Sequence, residues 1–522
     1  MDLTSLQTLA TADDAGGVDA FLQRYFGAFA EAVAGVVFYT VPIFGTEVPL
    51  IVGWLVVCGF FFTVWLKFLN VRGMKHAIEL VRGKYTPPDA PGEVTHFQAL
   101  ATALSSTVGL GNIAGVAVAI TLGGPGAAFW MFVAGFVGMS TKMAECTVAV
   151  KYRRTHADGT VSGGPMWYLR DGLAALGRPG IGKVLAILWA VFMMIAALGT
   201  NAFQSNQATT QIMNVAGQNS VGDFLGDNRW AIGLVMALFT AAVLLGGIKS
   251  IARVTEMMVP LMAIIYVTGC LTVILFNAPH IPAALGEIIT GAFSPEGVAG
   301  GAIGSLIVGF QRATFSNSAG VGDAPTAHSV VKTNRPATEG FVASLEPFVD
   351  TIIICSMTAL TIVVTETWRG AEGIEGVTIT SNAFATVAAW FPYVLAVAVV
   401  LFAYSTILSN SFYGMKAFGS LFGDNRAAEN VYKFVFCCFT VIGAAAALGP
   451  VVLFADSVFF LLALCNVIGL YFLAKVIRRE FLDYWRQLHA GEFEVIPPAE
   501  RIMFGAQAAR TQRTSDVSSA DA

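Results

Sequence analysis

Charge is scarce in this chain. Asp, Glu, Lys and Arg together make up 12% of its 522 residues, whereas a soluble globular protein carries about 25%. Hydrophobic types fill 56%. Half the usual charge in a long chain with many apolar runs excludes a soluble protein and reads as a polytopic membrane protein, with the lipid bilayer as its surroundings. Other absences exclude particular chemistries. The seven cysteines (Cys58, Cys146, Cys270, Cys355, Cys437, Cys438, Cys465) show no CxxC and no Cys/His metal spacing. All fall in apolar segments and read as buried small residues. The six histidines (His76, His96, His156, His280, His328, His489) are scattered and suggest no ligand cluster. No GxxxxGK[ST] occurs, which disfavours a self-contained ATP-driven pump. No HExxH or GxSxG occurs and no intramembrane Asp pair stands out, so an enzyme is not expected. Neither a cofactor, a nucleic-acid partner nor an obligate protein partner is expected. The N-terminus, "MDLTSLQTLATADDAGG", has no basic n-region and does not read as a cleaved signal peptide.

Apolar runs long enough to span, about 20 residues each, fall at 47–69, 96–123, 126–150, 183–213, 230–247, 253–277, 300–331, 340–365, 383–422, 432–448 and 450–477. These are eleven expected spans, with 383–422 too long for one straight crossing. Residues 20–44 are apolar but stopped by Pro42, and read as an interfacial helix, with a twelfth span as the alternative. Basic residues test the count. Of the 30 Lys and Arg, 24 fall in alternate loops or at their edges, and only Arg24, Arg229 and Arg369 fall on the opposite side. Positive-inside then puts the N-terminus outside and the C-terminus in the cytoplasm. The far side carries acidic loops with Glu366, Glu372 and Glu375. The expected organisation is an extracytoplasmic or interfacial segment over 1–45, a transmembrane domain over 46–480 and a polar, solvated cytoplasmic tail over 481–522 of a multi-pass cell (inner) membrane protein.

What is present is a hydrophobic helix with a fault in it. "ALSSTVGLGNIAGVAVAI" (103–120) carries three glycines, an asparagine and three adjacent hydroxyls. It has an echo: "GNIAGVA" (111–117) and "SNSAGVG" (316–322) share Asn, Ala, Gly and Val in step. The copies lie in the second and seventh spans, which cross in opposite directions. A 5+5 inverted repeat with one extra N-terminal span would produce this, with a broken helix at the same point of each half. A break frees amides on one side and carbonyls on the other, and in lipid these groups must line a cavity or meet a ligand. The amide end attracts a carboxylate. The carbonyl end, helped by hydroxyls, suits a hard cation such as Na⁺. A zwitterionic amino acid with a co-transported cation uses both. Gly109 and Gly111 allow the backbone to unwind, whereas Gly111 and Gly115 form a GxxxG that reads, at Gly115, as helix packing.

With both copies in view, the chain resembles the alanine or glycine:cation symporter family, the sodium:alanine symporters. The motifs that carry the resemblance are "GLGNIAGVAVAITLGGPGAAFWMFVAGFVGMSTKMAECTVAVKYR" (109–153), "SGGPMWYL" (162–169), "GTNAFQSNQ" (199–207), "RATFSNSAGVGDAP" (312–325) and "FAYSTILSNSFYG" (402–414). The resemblance implies an all-α, LeuT-like fold with broken first and sixth core helices. Four positions depart from the family pattern: Leu110 where Thr is usual, Ser318 where Glu is usual, Asn410 where Trp is usual and Met415 where Glu is usual. If Asn410 faces the pocket, the cavity is larger and more polar than in the family.

The roles assigned on this basis are as follows. The amides of Leu110 and Gly111, beside Gly109, Thr107 and Asn112, take the substrate carboxylate. The resemblance places the second break at Thr314, Phe315, Ser316 and Asn317, which take the ammonium group. Phe203, Gln204 and Gln207 come from the fourth span, each glutamine serving either pocket or packing. Asn410 completes the substrate wall. For Na⁺ the ligands are the carbonyls of Ser105 and Val108, facing the Ala403 carbonyl and the Ser405 and Thr406 hydroxyls, all oxygens as a hard cation demands. Lys142, Glu145, Glu256, Arg312, Glu346, Asp350 and Asp456 are ionisable residues inside spans. Lys142 and Glu145, three apart, are spaced to pair as a structural contact, and Arg312 stands just before the second break as either a gate or a structural residue. The expected function is a secondary-active symporter importing a small neutral amino acid of the alanine or glycine type with Na⁺. The alternatives are a larger cargo such as glutamine, H⁺ as the driving ion or, in another class, an ion channel.

Overall fold

The computed structural model describes residues 31–501, apart from 44–45, 88–89, 157–160, 218–219, 246, 295–300, 372–375, 424 and 499. The tail from 502, Glu372 and Glu375, and the first part of the 20–44 segment lie outside the described residues, as does the side chain of Glu256.

Among the described residues, twelve principal helical segments carry the fold. They are α1 (Leu50–Trp65), α2 (His96–Thr107), α3 (Gly111–Gly123), α4 (Gly126–Lys151), α5 (Pro179–Ala216), α6 (Arg229–Leu245), α7 (Gly247–Phe276), α8 (Gly301–Asn317), α9 (Pro336–Val364), α10 (Pro392–Phe422), α11 (Arg426–Ala445) and α12 (Leu448–His489). Among the described residues, seven helices are long and apolar enough to cross a membrane, and α2 with α3 makes an eighth if that bent pair is one span. The helices α1, α6 and α8 fall short of that length. Outward-facing apolar side chains recur at helical spacing: Leu234, Leu238 and Phe239 on α6, and Met257, Leu261, Ile264, Leu271 and Leu275 on α7, are exposed. A water-soluble surface rarely presents such stripes; in a bilayer they meet lipid.

Several boundaries differ from the sequence reading. The expected helix over 20–44 gives way at its end to a strand, β1 (Thr40–Ile43), paired antiparallel with β2 (Thr46–Pro49). The β-branched and proline residues there favour extended backbone over helix, and α1 starts only at Leu50. The expected span 300–331 is helical only to Asn317 as one piece. Ser318, Gly320 and Gly322 then take left-handed backbone, with φ of 55°, 93° and 89°, and the chain turns before a short helix, Pro325–His328. The long run 383–422 is divided between a helix over Gly376–Ala385 and α10, which starts at Pro392.

The core around the breaks is built by α5, which packs along α10 and α12, and by α4, which packs along α8. Small residues let backbones approach where the driving force in lipid is contact rather than water exclusion. At Gly443 a Cβ would run into the Ala202 backbone, joining α11 to α5.

Candidate functional site

The helix α2 begins with a capping box. The Thr95 hydroxyl accepts from the Gln98 amide at 3.2 Å and the Gln98 side chain accepts from the Thr95 amide at 3.1 Å. It ends at Thr107. Val108 leaves helical geometry with ψ of 86°, and α3 restarts at Gly111 with a π turn over Gly111–Gly115, bent 55° from α2. The first amides after a helix start lack internal acceptors, and here side chains supply them. Gly109 N donates to Asn112 Oδ1 at 2.9 Å, and Leu110 N donates to Gln204 Oε1 at 3.0 Å.

The second break is stabilised from its carbonyl side. Asn466 Nδ2 donates to the Gly320 carbonyl at 2.9 Å and Trp189 Nε1 to the Val321 carbonyl at 2.8 Å. The two echo segments meet. A Cβ on Gly111 would lie 3.3 Å from the Cα of Ser316, its counterpart in the repeat. The paired asparagines dock on consecutive residues of α9. Asn112 Nδ2 donates to Asp350 Oδ1 at 2.7 Å, and Asn317 Nδ2 donates to Thr351 Oγ1 at 2.9 Å. Ser316 Oγ donates to Asp350 Oδ2 at 2.8 Å. Asp350 thus ties both breaks to one helix, a buried carboxylate satisfied by hydrogen bonds rather than by a counter-ion.

Between the breaks lies a cavity of about 10 Å³, lined by residues that include Ser106, Thr107, Gly111, Gln204, Phe315, Asp323, Thr406 and Asn410. That volume is at the threshold for a single water, so an amino acid enters only as the walls move. Aromatic rings close one side. Phe315 meets Phe203 edge-on at 5.2 Å and Phe459 at 5.4 Å. Next to them Arg312, buried, bonds Asp456 of α12 and lies 5.6 Å from the Phe315 ring.

Where the sequence reading put the cation, Thr406 Oγ1 donates to the Ser105 carbonyl at 3.1 Å, the Ser105 and Ser409 hydroxyls touch, and Asn410 Nδ2 donates to the Thr406 carbonyl at 2.9 Å. Val108 and Ala403 are buried. Ser405 faces away from Ser105: its hydroxyl donates to the Phe402 carbonyl at 3.0 Å and lies 3.3 Å from Met262 Sδ on α7.

Of the residues singled out from sequence, Thr107, Gly111, Gln204, Phe315, Thr406 and Asn410 share the cavity wall, and Ser105 and Gly109 lie directly behind it, against Thr406. Leu110 offers its amide to Gln204. Phe203 stands behind Phe315. Asn112, Ser316 and Asn317 face α9 instead. Thr314 and Asn317 line a separate cavity of about 20 Å³ that reaches α1. Gln207 lies in the packing, accepting from the Val377 amide at 3.0 Å and donating to Asn206 at 2.8 Å. Gly115 has no close neighbour for a Cβ nearer than the Leu110 carbonyl at 4.0 Å, so tight helix packing does not explain it.

Two further sequence expectations are corrected. Lys142 and Glu145 do not pair: Lys142 Nζ lies 3.3 Å from Glu346 and 3.5 Å from Asp323, and Glu145 accepts from Asn466 at 2.6 Å. The histidines are also not all isolated. His328 bonds Glu339 through Nδ1 and Glu346 through Nε2, the latter at 2.6 Å, and His96 bonds the other oxygen of Glu339. Asp323, His328 and Glu339 escaped sequence reasoning because two of their partners, Lys142 and His96, lie far away in the chain. The available signal was Asp323 and His328 inside a segment apolar enough to read as a span. Cys146, His328 and Glu346 place ligand atoms within 4.8 Å of one another. Both His328 nitrogens are committed to carboxylates and the Lys142 ammonium adjoins Glu346, an arrangement that repels a metal cation.

A helical membrane protein with a polar cavity between a bent helix pair and a second helix break has the construction of a transporter. The family it belongs to is shown by comparison. The sodium:alanine symporter family profile matches residues 32–497, and the chain belongs to that family. It is 38% identical over 429 residues to the sodium/alanine symporter AgcS of Methanococcus maripaludis, covering 81% of this chain and 91% of the relative. It is 31% identical to the probable sodium/glutamine symporter GlnT of Bacillus subtilis, covering 83% and 87%. Among solved structures, MhsT in complex with L-phenylalanine matches with a TM-score of 0.48 at 16% identity, covering 75% of this chain and 98% of that one. The protein is a multi-pass membrane transporter, not an enzyme.

Proposed function

We propose that the protein is a cell-membrane symporter that imports a small neutral amino acid with Na⁺ by alternating access. The observation that carries this reading is the cavity wall, which combines the bent α2–α3 junction, hydroxyls and a single carboxylate, Asp323, among its described lining residues. The substrate carboxylate lies at the start of α3, against the Gly111 amide with Thr107 and Ser106 at hand, and Leu110 is presented or withheld by Gln204. Asp323 receives the ammonium group, a role the sequence reading gave to the second break. Na⁺ lies between the Ser105 and Val108 carbonyls, the Ala403 carbonyl and the Thr406 hydroxyl. Ser405 is a weaker ligand because its hydroxyl faces α7. Bound Na⁺ holds α2 against α10 and so stabilises the half of the site that meets the amino acid. The relatives vary in the cargo of their names, alanine in one and glutamine in another; the closed cavity admits neither until its walls move. The N-terminus is outside and the C-terminus cytoplasmic on the charge distribution.

The experiment is uptake by purified protein in proteoliposomes, with labelled alanine, glycine and glutamine under imposed Na⁺ or H⁺ gradients. Alanine or glycine uptake driven by Na⁺ is expected. Uptake indifferent to Na⁺, or accumulation of glutamine alone, refutes the proposal as stated.

A further inference from the structure

At one end of the bundle, apart from both breaks, lies a cleft of about 260 Å³. Three elements form it: the helical segment 165–175 that joins α4 to α5, the first turns of α5 and the last turn of α10. Its walls divide by chemistry. Arg170 and Lys183 are basic, Trp167 is aromatic with one polar edge, and Ile187 and Leu421 are apolar. Arg154 and Arg170 both lie 4.6 Å from the Trp167 ring, and they share one carboxylate, Asp171, at 2.9 and 2.8 Å. Lys183 makes no ion pair among the described residues, and the Trp167 indole N–H has no acceptor there. Positive charge is therefore left over at the mouth of the cleft. From Lys183 the surface of α5 runs into lipid. Lys183 and Ile187 are four apart and share a helix face, and Val184, Ile187, Leu188 and Val191 are exposed. Lys183 stands about 30 Å along α5 from Gln204 at the first break. Such breaks lie near the bilayer midplane, so that distance carries Lys183 past a hydrocarbon core about 30 Å thick and into the headgroups. By its basic residues this is the cytoplasmic end.

We infer that this cleft binds an anionic phospholipid of the cytoplasmic leaflet, with its phosphate against Lys183 and Arg170 and an acyl chain along Ile187 and Val191. A phosphate ester needs charged donors, and its acyl chain needs an apolar wall directly below them. The cleft offers both in that order, and basic pockets between spans on this side of a membrane recognise anionic headgroups. Trp167 adds a ring of the kind that sits at headgroup level. Other occupants fit less of the surface. A small soluble anion would use the basic mouth and leave Ile187 and Leu421 without contact. A zwitterionic lipid would bring a further cation to a mouth already in positive excess. The inference stands apart from the choice of cargo and coupling ion, because the cleft shares no lining residue with the cavity between the breaks. The lipid joins α5 to α10, the helices that carry Gln204 and Thr406 to that cavity.

The test is quenching of tryptophan fluorescence by brominated phospholipids in proteoliposomes, where the difference between wild type and Trp167→Phe isolates the ring in the cleft. Brominated phosphatidylglycerol is expected to quench that component at a lower lipid fraction than brominated phosphatidylcholine. Lys183→Gln, at an exposed side chain, keeps the fold and lowers the preference for phosphatidylglycerol by roughly five-fold. Arg170→Gln lowers it as well, and Lys183→Gln carries the test if Arg170→Gln fails to fold. Arg479→Gln, 84% exposed on α12, leaves the preference unchanged. Equal quenching by the two lipids, or an undiminished preference in Lys183→Gln, overturns the inference. So does displacement of brominated phosphatidylglycerol by inorganic phosphate beyond that given by chloride at the same ionic strength, which would assign the cleft to a free anion.

Discussion

Gly109→Ala is the sharpest probe of the junction between α2 and α3. A Cβ there would lie 2.5 Å from Thr406 Oγ1 and 3.0 Å from Gln204 Nε2. Thr406 cannot yield easily, since it is β-branched and stiff at χ1, is buried, and donates to the Ser105 carbonyl at 3.1 Å. The methyl fits only if the hydroxyl leaves that carbonyl. In the proposed site Na⁺ uses both oxygens, and it must then bind against the strain. Overpacking of this kind costs about 1–3 kcal/mol, which corresponds to roughly 5–150-fold in apparent affinity. The assay is the Na⁺ concentration giving half-maximal alanine uptake, with Gly115→Ala as control. At Gly115 a Cβ meets nothing nearer than 4.0 Å, and the change favours helix by roughly 1 kcal/mol. The account expects Gly109→Ala to raise half-saturating Na⁺ within that range and Gly115→Ala to leave it unchanged. Wild-type Na⁺ dependence in Gly109→Ala, or equal damage from both, refutes the reasoning.

Three further outcomes follow from the same geometry. Gln204→Leu leaves the Leu110 amide buried without its acceptor, at a cost of about 1–3 kcal/mol; thermal denaturation should show a lower midpoint, partly restored by saturating alanine, and an unchanged midpoint counts against the capping role. Breaking the buried Arg312–Asp456 pair from one side costs about 3–5 kcal/mol, so Arg312→Met and Asp456→Leu should each destabilise strongly while the double variant costs less than their sum; strict additivity would deny the coupling. His76 lies outside the membrane spans, on Met74–Val81, with Nε2 2.8 Å from the Tyr484 hydroxyl, and burial pushes its pKa down to about 4, against a weaker opposing pull from Glu79. The unfolded chain therefore binds more protons between the ordinary histidine value, about 6.5, and about 4. Stability present above pH ~6.5 is lost as pH falls through that window, by up to about 3 kcal/mol. The melting temperature of wild type should fall more steeply than that of His76→Gln across it, and parallel curves would refute the assignment.

The membrane class and the first break were legible because they rest on local signals. Low charge and long apolar runs announce a bilayer, and glycines with a side-chain cap announce an interrupted helix. The second break was legible only through its echo and the family resemblance. Its position was read as 314–317, whereas the left-handed residues start at Ser318, a conformation that neither the echo nor a serine there signals. What failed to show was partnership across the chain. Asn112 looked like a ligand because it sits beside the break, and only folding reveals that Asp350 claims it. Gln204 and Gln207 differ by less than one helical turn, yet one faces the cavity and the other the Val377 amide. The His–Glu–Lys network joins residues from α2, α4, the segment after α8, and α9, and no spacing in the sequence brings those together. Lys142 and Glu145 had the right spacing to pair and do not, because stronger partners arrive from elsewhere.

The central claim is that one end of the broken helix serves the cation and the other the amino acid. Equilibrium binding of labelled alanine to the purified protein, titrated across Na⁺ concentrations with choline as the replacement ion, tests it most directly. Linkage requires Na⁺ to raise alanine affinity and alanine to raise Na⁺ affinity by the same factor. The account predicts that reciprocal enhancement, weakened in Gly109→Ala; identical alanine affinity in Na⁺ and in choline would contradict it.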